Sequence, residues 1–285
     1  MTGLERVYEV EVLSTGDELV FGQLVDTNAS WIAKQATAQG ARVRRMTCVG
    51  DHVEDIVKAI EGGLLEARDL IVMTGGLGPS DDDLTIEALA QVAGKEVVYD
   101  ARALEMLAAS CQAAGIDVTE RRKRMARSVD GADPLENGVG LAPGVKLRVG
   151  STVLVALPGI PKEMMPMFTR CVLPLIAEAS VKRALAIKLH LLMPYYSSFP
   201  VLSTLRDLFP EIYIKTHSQP PSHERAPDQV YGMMVDVLVW GVSEGECTAR
   251  REEVTARLRE LVEAAGGRVT VETVASLRAS GDRAP

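Results

Sequence analysis

The sequence predicts an α/β chain in two parts, a parallel sheet covered by helices and then a smaller α+β unit. Three observations carry this. Strand and helix patterns alternate three times from the N-terminus, which argues for a parallel sheet with crossover helices. One segment, Asp69-Leu70-Ile71-Val72-Met73-Thr74, is a compact apolar run of the kind buried on both faces of such a sheet. Beyond residue 180 the order becomes β-α-β-β-α-β, that of a small split sandwich.

The elements follow in order. Val7 to Leu13 alternates like a strand. Asn28 to Gln39 has helical spacing, with Trp31, Ile32, Gln35 and Ala36 on one side and Gly40 ending it. Val43 to Val49 reads as a strand, Val53 to Leu65 as an amphipathic helix, Asp69 to Thr74 as a buried strand, and Asp83 to Val92 as a third helix. Ala101 to Ser128 is expected to hold two more helices, the second carrying Arg121, Arg122, Lys123, Arg124 and Arg127. Val145 to Val149 and Thr152 to Leu157 form a hairpin turning at Gly150-Ser151, and Lys162 to Ala177 returns as a helix.

In the second unit, Leu185 to Leu192 is predicted as strand and Ser197 to Leu208 as helix. Ile212 to Lys215 and Tyr231 to Trp240 are predicted strands, Cys247 to Ala265 a helix and Arg268 to Glu272 a strand. Thr216 to Asp228, with three prolines, is expected to be a loop. The domains are therefore 1–180 and 181–273, with 274–285 a frayed tail.

Composition narrows the partners. The chain has 285 residues, 47% hydrophobic and 25% charged, the balance of a globular protein of two domains. Its 39 acidic residues outnumber 31 basic ones, and the net charge of −8 repels nucleic acid and anionic membranes. A small-molecule partner is expected instead. The four cysteines, Cys48, Cys111, Cys171 and Cys247, lie far apart and show neither zinc spacing nor a disulfide framework. With no signal peptide and no apolar run long enough to span a bilayer, the expected address is the cytoplasm.

The chemistry is expected where strands of an open α/β sheet end, since ligands bind beyond their carboxyl ends. After the first strand come Ser14-Thr15-Gly16-Asp17-Glu18 and then Thr27-Asn28, and after the second Gly50-Asp51, with His52 as a possible contact. After the third come Thr74-Gly75-Gly76-Leu77-Gly78-Pro79-Ser80-Asp81-Asp82-Asp83, and after the last Pro158-Gly159-Ile160-Pro161-Lys162-Glu163. The glycines let backbone approach a ligand, and a loop running into a helix N-terminus favours an anion. Its aspartates would repel a phosphate, at a cost of a few kcal/mol for carboxylates about 4 Å away. A bridging divalent cation such as Mg²⁺ reverses that sign. Taken singly, each acid fits a turn or helix-cap role; as a set on one sheet edge they favour a site.

Other motifs fail. No G-K-[ST] follows the glycines and no G-x-G-x-x-G opens the first helix, which leaves P-loop and dinucleotide sites unsupported. Gly245, Arg259-Glu260-Leu261-Val262-Glu263 and Gly266 resemble part of a Nudix box, but Arg251 and Ala264 stand where it needs glutamates. A surface helix explains that run. The basic residues Arg121 to Arg127 read as a solvated face.

The ordered motifs Ser14-Thr15-Gly16-Asp17-Glu18-Leu19, Gly22-Gln23, Asp26-Thr27-Asn28, Val49-Gly50-Asp51, Thr74-Gly75-Gly76-Leu77-Gly78-Pro79, Asn137, Gly140, Ala142-Pro143-Gly144 and Leu157-Pro158-Gly159-Ile160-Pro161-Lys162-Glu163-Met164 resemble the molybdopterin-binding-like domain of the CinA family. The resemblance implies a three-layer αβα domain with a mainly parallel sheet, related to the molybdenum-cofactor proteins MogA and MoeA. It also implies a metal-dependent ADP-ribose pyrophosphatase activity. Carried onto this sequence, Asp17, Asp51, Asp82 and Asp83 fall in the ligand and metal pocket with Gly75, Gly76 and Gly78, and Glu163 lies in a matching motif. Asp82, Asp83 and Asp51 are then the catalytic candidates, with Asp82, Asp83 and Glu163 as metal ligands. CinA proteins often end in a nicotinamide mononucleotide deamidase domain, and this sequence stops after its smaller second unit, so deamidation is not carried over. Ser80 stands where threonine is usual, Leu141 precedes Ala142-Pro143-Gly144 in place of a small or polar residue, and Met125 replaces a common glutamine.

Hydrolysis of the diphosphate bond in ADP-ribose or a similar nucleotide is thus the first expectation. Molybdopterin binding or adenylylation is the second, and a non-enzymatic nucleotide sensor the third. A homo-oligomer is expected from the relatives alone.

Overall fold

The structure, a computed structural model, describes residues 7–217 and 230–275. The chain divides into two compact units, one running to Ala36 and over Ala41–Ala179, the other comprising Thr37–Gly40 and the chain from Ser180.

The first unit opens with β1 (Glu9–Thr15), α1 (Asp17–Val20), α2 (Thr27–Ala38), β2 (Arg42–Val49), α3 (Val53–Leu65), β3 (Leu70–Thr74) and α4 (Thr85–Ala93). An excursion follows, made of β4 (Val97–Tyr99), α5 (Ala101–Ala113), α6 (Glu120–Lys123) and β5 (Arg127–Val129). The chain then returns through β6 (Asp133–Leu135), β7 (Gly144–Val149), β8 (Thr152–Leu157), α7 (Pro161–Met167) and α8 (Leu173–Ala179). The main sheet has the order β2-β1-β3-β8-β7-β6. β1, β2, β3 and β8 run parallel, whereas β7 and β6 are antiparallel additions at one side.

Strand periodicity sorts side chains onto the two faces. Leu13, Ile71, Met73 and Leu154 pack with Ile56, Ile60 and Leu89 from α3 and α4. Val10, Val12, Leu70, Val72 and Val155 pack with Ile32 of α2 and Met164 of α7 on the other side, where Trp31 meets Phe168 edge-on at 5.6 Å. Every residue of β3 and β8 is buried, as a strand covered on both faces requires. This is the three-layer αβα arrangement with a mainly parallel sheet.

Three local expectations are corrected. The helix expected over Lys162 to Ala177 is α7, a wide π turn at Phe168–Val172, and α8. Pro174 has no N–H for the i−4 carbonyl, and the chain widens rather than breaks. The basic helix expected up to Ser128 is only α6 plus a 3-10 turn at Arg124–Ala126, after which Arg127 enters β5 and pairs with Tyr99 of β4. Pairing with β4 overrides helix propensity there. The chain before α2 also forms α1, directly after Gly16.

The second unit contains β9 (Arg183–Pro194), α9 (Tyr195–Leu208), β10 (Tyr213–His217), β11 (Val230–Gly241), α10 (Glu244–Ala264) and β12 (Arg268–Ala275). Its sheet, β10-β11-β9-β12, is antiparallel throughout and is the split β-α-β sandwich. Its core joins Ile187, Leu189 and Leu191 of β9 to Leu202 of α9 and Leu258 of α10. The Nudix-like run lies on α10, which turns Val254, Leu258 and Val262 inward. Thr216 and His217, expected in a loop, belong to β10; the rest of that loop and the tail after Ala275 lie outside the described residues. No described helix is long and apolar enough to cross a membrane.

Candidate functional site

Parallel strands with crossover helices leave the loops after β1, β2, β3 and β8 on one edge of the sheet, and hydrogen bonds tie them into one wall. Gly16 N–H donates to the Val49 carbonyl at 3.1 Å, joining the first two loops. There Asp17 and Asp51 hold one another: Asp17 N–H donates to Asp51 Oδ2 at 3.0 Å and Asp51 N–H to Asp17 Oδ1 at 3.1 Å. Gly50 lies beside this pair, and a Cβ there would stand 2.5 Å from Asp17 Oδ1, displacing that carboxylate.

The third loop joins the fourth through Gly75, whose N–H donates to the Leu157 carbonyl at 3.1 Å. Gly75 has φ +100°, and a Cβ on it would lie 2.5 Å from the Thr15 carbonyl oxygen. Only glycine combines that φ with so close an approach. Thr85 Oγ1 donates to the Gly75 carbonyl at 2.9 Å and lies 3.5 Å from Thr15 Oγ1, so hydroxyls of two loops brace the same turn. Asn28 reaches from α2 to donate to the Gly159 carbonyl at 2.7 Å, and its Oδ1 is buried with no partner. Thr27 is the first residue of α2, which Asp26 caps by accepting from Ala29 N–H at 2.9 Å.

The aspartates divide by role. Asp83 is turned into its own loop, where its carboxylate oxygens accept from Gly78 N–H and Ser80 N–H, each at 2.7 Å. Asp82 is exposed and stands close enough to act electrostatically on Asp51. Burial pushes the Asp51 carboxyl above its ordinary value; the hydrogen bond from Asp17 N–H opposes this, and the charges of Asp17, Glu18 and Asp82 add to it. The Cys48 thiol is likewise pushed up by burial and then by Asp26, Glu18 and Asp51. Glu18 and His52 are exposed, His52 preceding α3 without a side-chain cap bond. Pro79 and Pro158 lie in the turns after β3 and β8.

Glu163 serves elsewhere. Its Oε2 accepts from Asn137 Nδ2 at 2.6 Å, while Asn137 also donates to the Ala142 carbonyl and accepts from the N–H groups of Val139 and Gly140. Asp82, Asp83 and Glu163 therefore do not form the ligand shell expected of them: Asp83 and Glu163 hold protein partners. Among the described residues no three His, Cys, Asp or Glu side chains come together to hold a metal ion. The donors present do not fit a resident metal built from these three carboxylates.

The site also contains residues that sequence reasoning set aside. Arg121 Nη2 donates to Ser80 Oγ at 3.3 Å, Arg124 Nη2 to the Ser80 carbonyl at 3.1 Å, and Arg127 Nη2 to the Asp83 carbonyl at 3.2 Å. The face read as solvated thus grips the acidic loop. Their spacing of three was the available signal.

Comparison with known proteins agrees with this geometry. The family described as "Probable molybdopterin binding domain" matches residues 11–178. A protein of Aeropyrum pernix is 34% identical over 266 residues, covering 92% of this chain and 96% of its own. A CinA-like protein of Frankia casuarinae is 40% identical over 182 residues, covering 62% of this chain and 42% of its own. The crystal structure of the protein CinA from Thermoplasma acidophilum superposes with a TM-score of 0.54 at 34% identity, over 61% of this chain and 99% of that one. The chain belongs to the molybdopterin-binding-domain family, in its CinA-like group.

Proposed function

We propose that the crevice binds a phosphorylated pterin of the molybdopterin type and that the chain acts in building the molybdenum cofactor. The observation that carries this is the mutual fastening of Asp17 and Asp51 beside Asp82. Ionised carboxylates only accept hydrogen bonds, and a pterin ring offers an amino group and ring N–H donors to match them. The turn beside them presents the Ser80 hydroxyl with Arg121 at the same edge, where a phosphate finds donors. Transfer of an adenylyl group from ATP onto that phosphate, with pyrophosphate leaving, is the step this placement suits.

A titration with a fluorescent pterin phosphate tests the binding, and rescue of cofactor synthesis in a deficient strain tests the pathway. Absence of both defeats the reading. The family match supports the pterin rather than the diphosphate hydrolysis expected first.

One observation still favours hydrolysis of ADP-ribose as a second reading: the like charges around Asp51 would welcome a cation carried in on a diphosphate. In that reading Mg²⁺ is held mainly by phosphate oxygens with Asp82, and supplies charge neutralisation. AMP release from ADP-ribose with Mg²⁺, abolished by EDTA, would establish it; an inert, folded protein would dismiss it.

A further inference from the structure

The basic residues at 121–127 divide by direction. Arg122 donates to the Asp117 carbonyl at 2.7 Å and Lys123 pairs with Glu120 at 2.5 Å, both inside their own segment. Arg121, Arg124 and Arg127 all reach the glycine-rich loop instead. Here a short α turn runs into a 3-10 turn, in which side chains three apart stand over one another.

Arg127 is engaged by the Asp83 carbonyl and Glu87. Arg121 and Arg124 direct their charge at the exposed part of the loop. Arg124 Nη2 stands 3.2 Å from Asp81 Oδ1, and the Asp81 side chain is fully exposed. An ion pair so wet is weak and exchangeable. Arg124 Nε, by contrast, is buried with no hydrogen-bond partner. That atom is closed to solvent, and Nη2 is the edge that faces the loop, reaching both the Ser80 carbonyl and Asp81.

We propose that Arg121, Arg124 and the Ser80 hydroxyl form the phosphate-recognising end of the crevice, with the Asp81 carboxylate keeping the phosphate's place until the ligand arrives. This rests on the reading of the crevice as a site for a phosphorylated ring compound, and gives that site two ends. Asp17, Asp51 and Asp82 meet N–H groups of the ring, and the arginines meet the terminal phosphate. A phosphate monoester carries more charge than a carboxylate and matches the guanidinium fork through two oxygens, so it displaces Asp81. The repulsion between phosphate and the loop's aspartates is then offset by side chains of the protein itself. The ligand class is a heterocycle rich in N–H donors with a terminal phosphate, either a pterin or a nucleotide.

The test compares wild type with Arg124→Gln, Arg121→Gln, Asp81→Asn and Lys123→Gln, each shown to melt cooperatively. The probes are a fluorescent 6-alkylpterin phosphate, the same pterin after phosphatase treatment, and ADP. Arg124→Gln is expected to weaken the phosphorylated pterin about ten- to a hundredfold, as loss of a charge-assisted hydrogen bond does, and to leave the phosphate-free pterin unaltered. Arg121→Gln shows the same pattern more weakly, and Asp81→Asn tightens the phosphorylated probe about two- to fivefold. Lys123→Gln changes nothing. Equal weakening of both pterins by Arg124→Gln would reduce the arginine to loop support and overturn the proposal, as would no effect on either. Binding of ADP alone, with the same arginine dependence, upholds the phosphate end and replaces the pterin. If wild type binds neither phosphorylated probe, the functional reading itself falls, and this proposal with it.

Discussion

Asp17 and Asp51 each accept the other's backbone N–H, at 3.0 and 3.1 Å, so that two strand ends are fastened by a symmetrical pair of bonds between like-charged residues. The bonds hold two carboxylates together that would otherwise repel, and they explain why the pair makes a firm acceptor surface.

Replacing Asp51 by Asn should therefore separate stability from binding. The amide oxygen still accepts from Asp17 N–H, while the buried negative charge disappears. Thermal melting is expected to show no loss of stability, with any gain under about 1 kcal/mol because the carboxyl is partly exposed and solvent-screened. Calorimetric titration should show pterin affinity falling at least about tenfold with the charged acceptor gone. A large drop in melting temperature would mean that the charge supports the fold.

The same carboxyl sets a pH dependence. Its folded-state pKa lies above the ordinary aspartate value of about 4. Folding therefore favours the protonated form, and the penalty at neutral pH is relieved as pH falls through that raised pKa. Relative to Asp51→Asn, wild type should gain stability on mild acidification. Pterin affinity should decline over the same window, as the acceptor takes up a proton. Parallel melting and binding curves from pH 7 to about 4 would check both, and a flat difference between the proteins would refute the assignment.

Asp82 and Asp83 are neighbours with opposite expected phenotypes. Asp83→Ala orphans the N–H groups of Gly78 and Ser80 and should cost about 1–3 kcal/mol, measured by urea unfolding. Asp82→Ala removes an exposed side chain and should leave stability within about 0.5 kcal/mol while weakening ligand binding. Equal stabilities of the two variants would contradict the bracing role of Asp83.

Gly75→Ala tests the close approach of two loops. Its φ of +100° and the Thr15 carbonyl 2.5 Å from a Cβ leave no room for a methyl group. A loss of about 1–3 kcal/mol in chemical unfolding is expected, with ligand binding abolished.

At the start of β1 and β3, Glu11 is almost wholly buried and accepts from Arg45 Nε at 2.8 Å. Buried Arg68 donates to Glu9 Oε2 at 2.8 Å and pairs with Glu66. Arg68→Ala removes one cation of this network, leaving Glu9 to Arg44 and Glu11 and Glu66 to Arg45, and should cost about 1–3 kcal/mol. Because the network lies at the opposite end of the strands, binding by the fraction that remains folded should be unchanged. Equilibrium unfolding with a binding titration would show it.

Much of this was legible in sequence. The bounds of α3 are those its apolar spacing predicts, and β3 differs from its expected run only by Asp69, because strong periodicity and unbroken apolar runs are local properties. The meeting of Thr15, Gly75 and Gly159 could be expected from parallel topology alone. The three-residue strands β4, β5 and β6 could not, since their pairing depends on partners distant in the chain. Nor could sequence separate Asp82 from Asp83. Which of two adjacent carboxylates folds back onto Gly78 and Ser80 is decided by the turn's backbone, not by residue type.

The arginines that grip the Ser80 turn ride on an excursion with its own two-stranded sheet and its own small nucleus of Ala103, Leu107, Cys111 and Ala126. Such a modest nucleus can loosen while the principal sheet stays intact. Lesions in that satellite would then be felt first as a slackened grip on the Ser80 turn, long before the protein as a whole came apart.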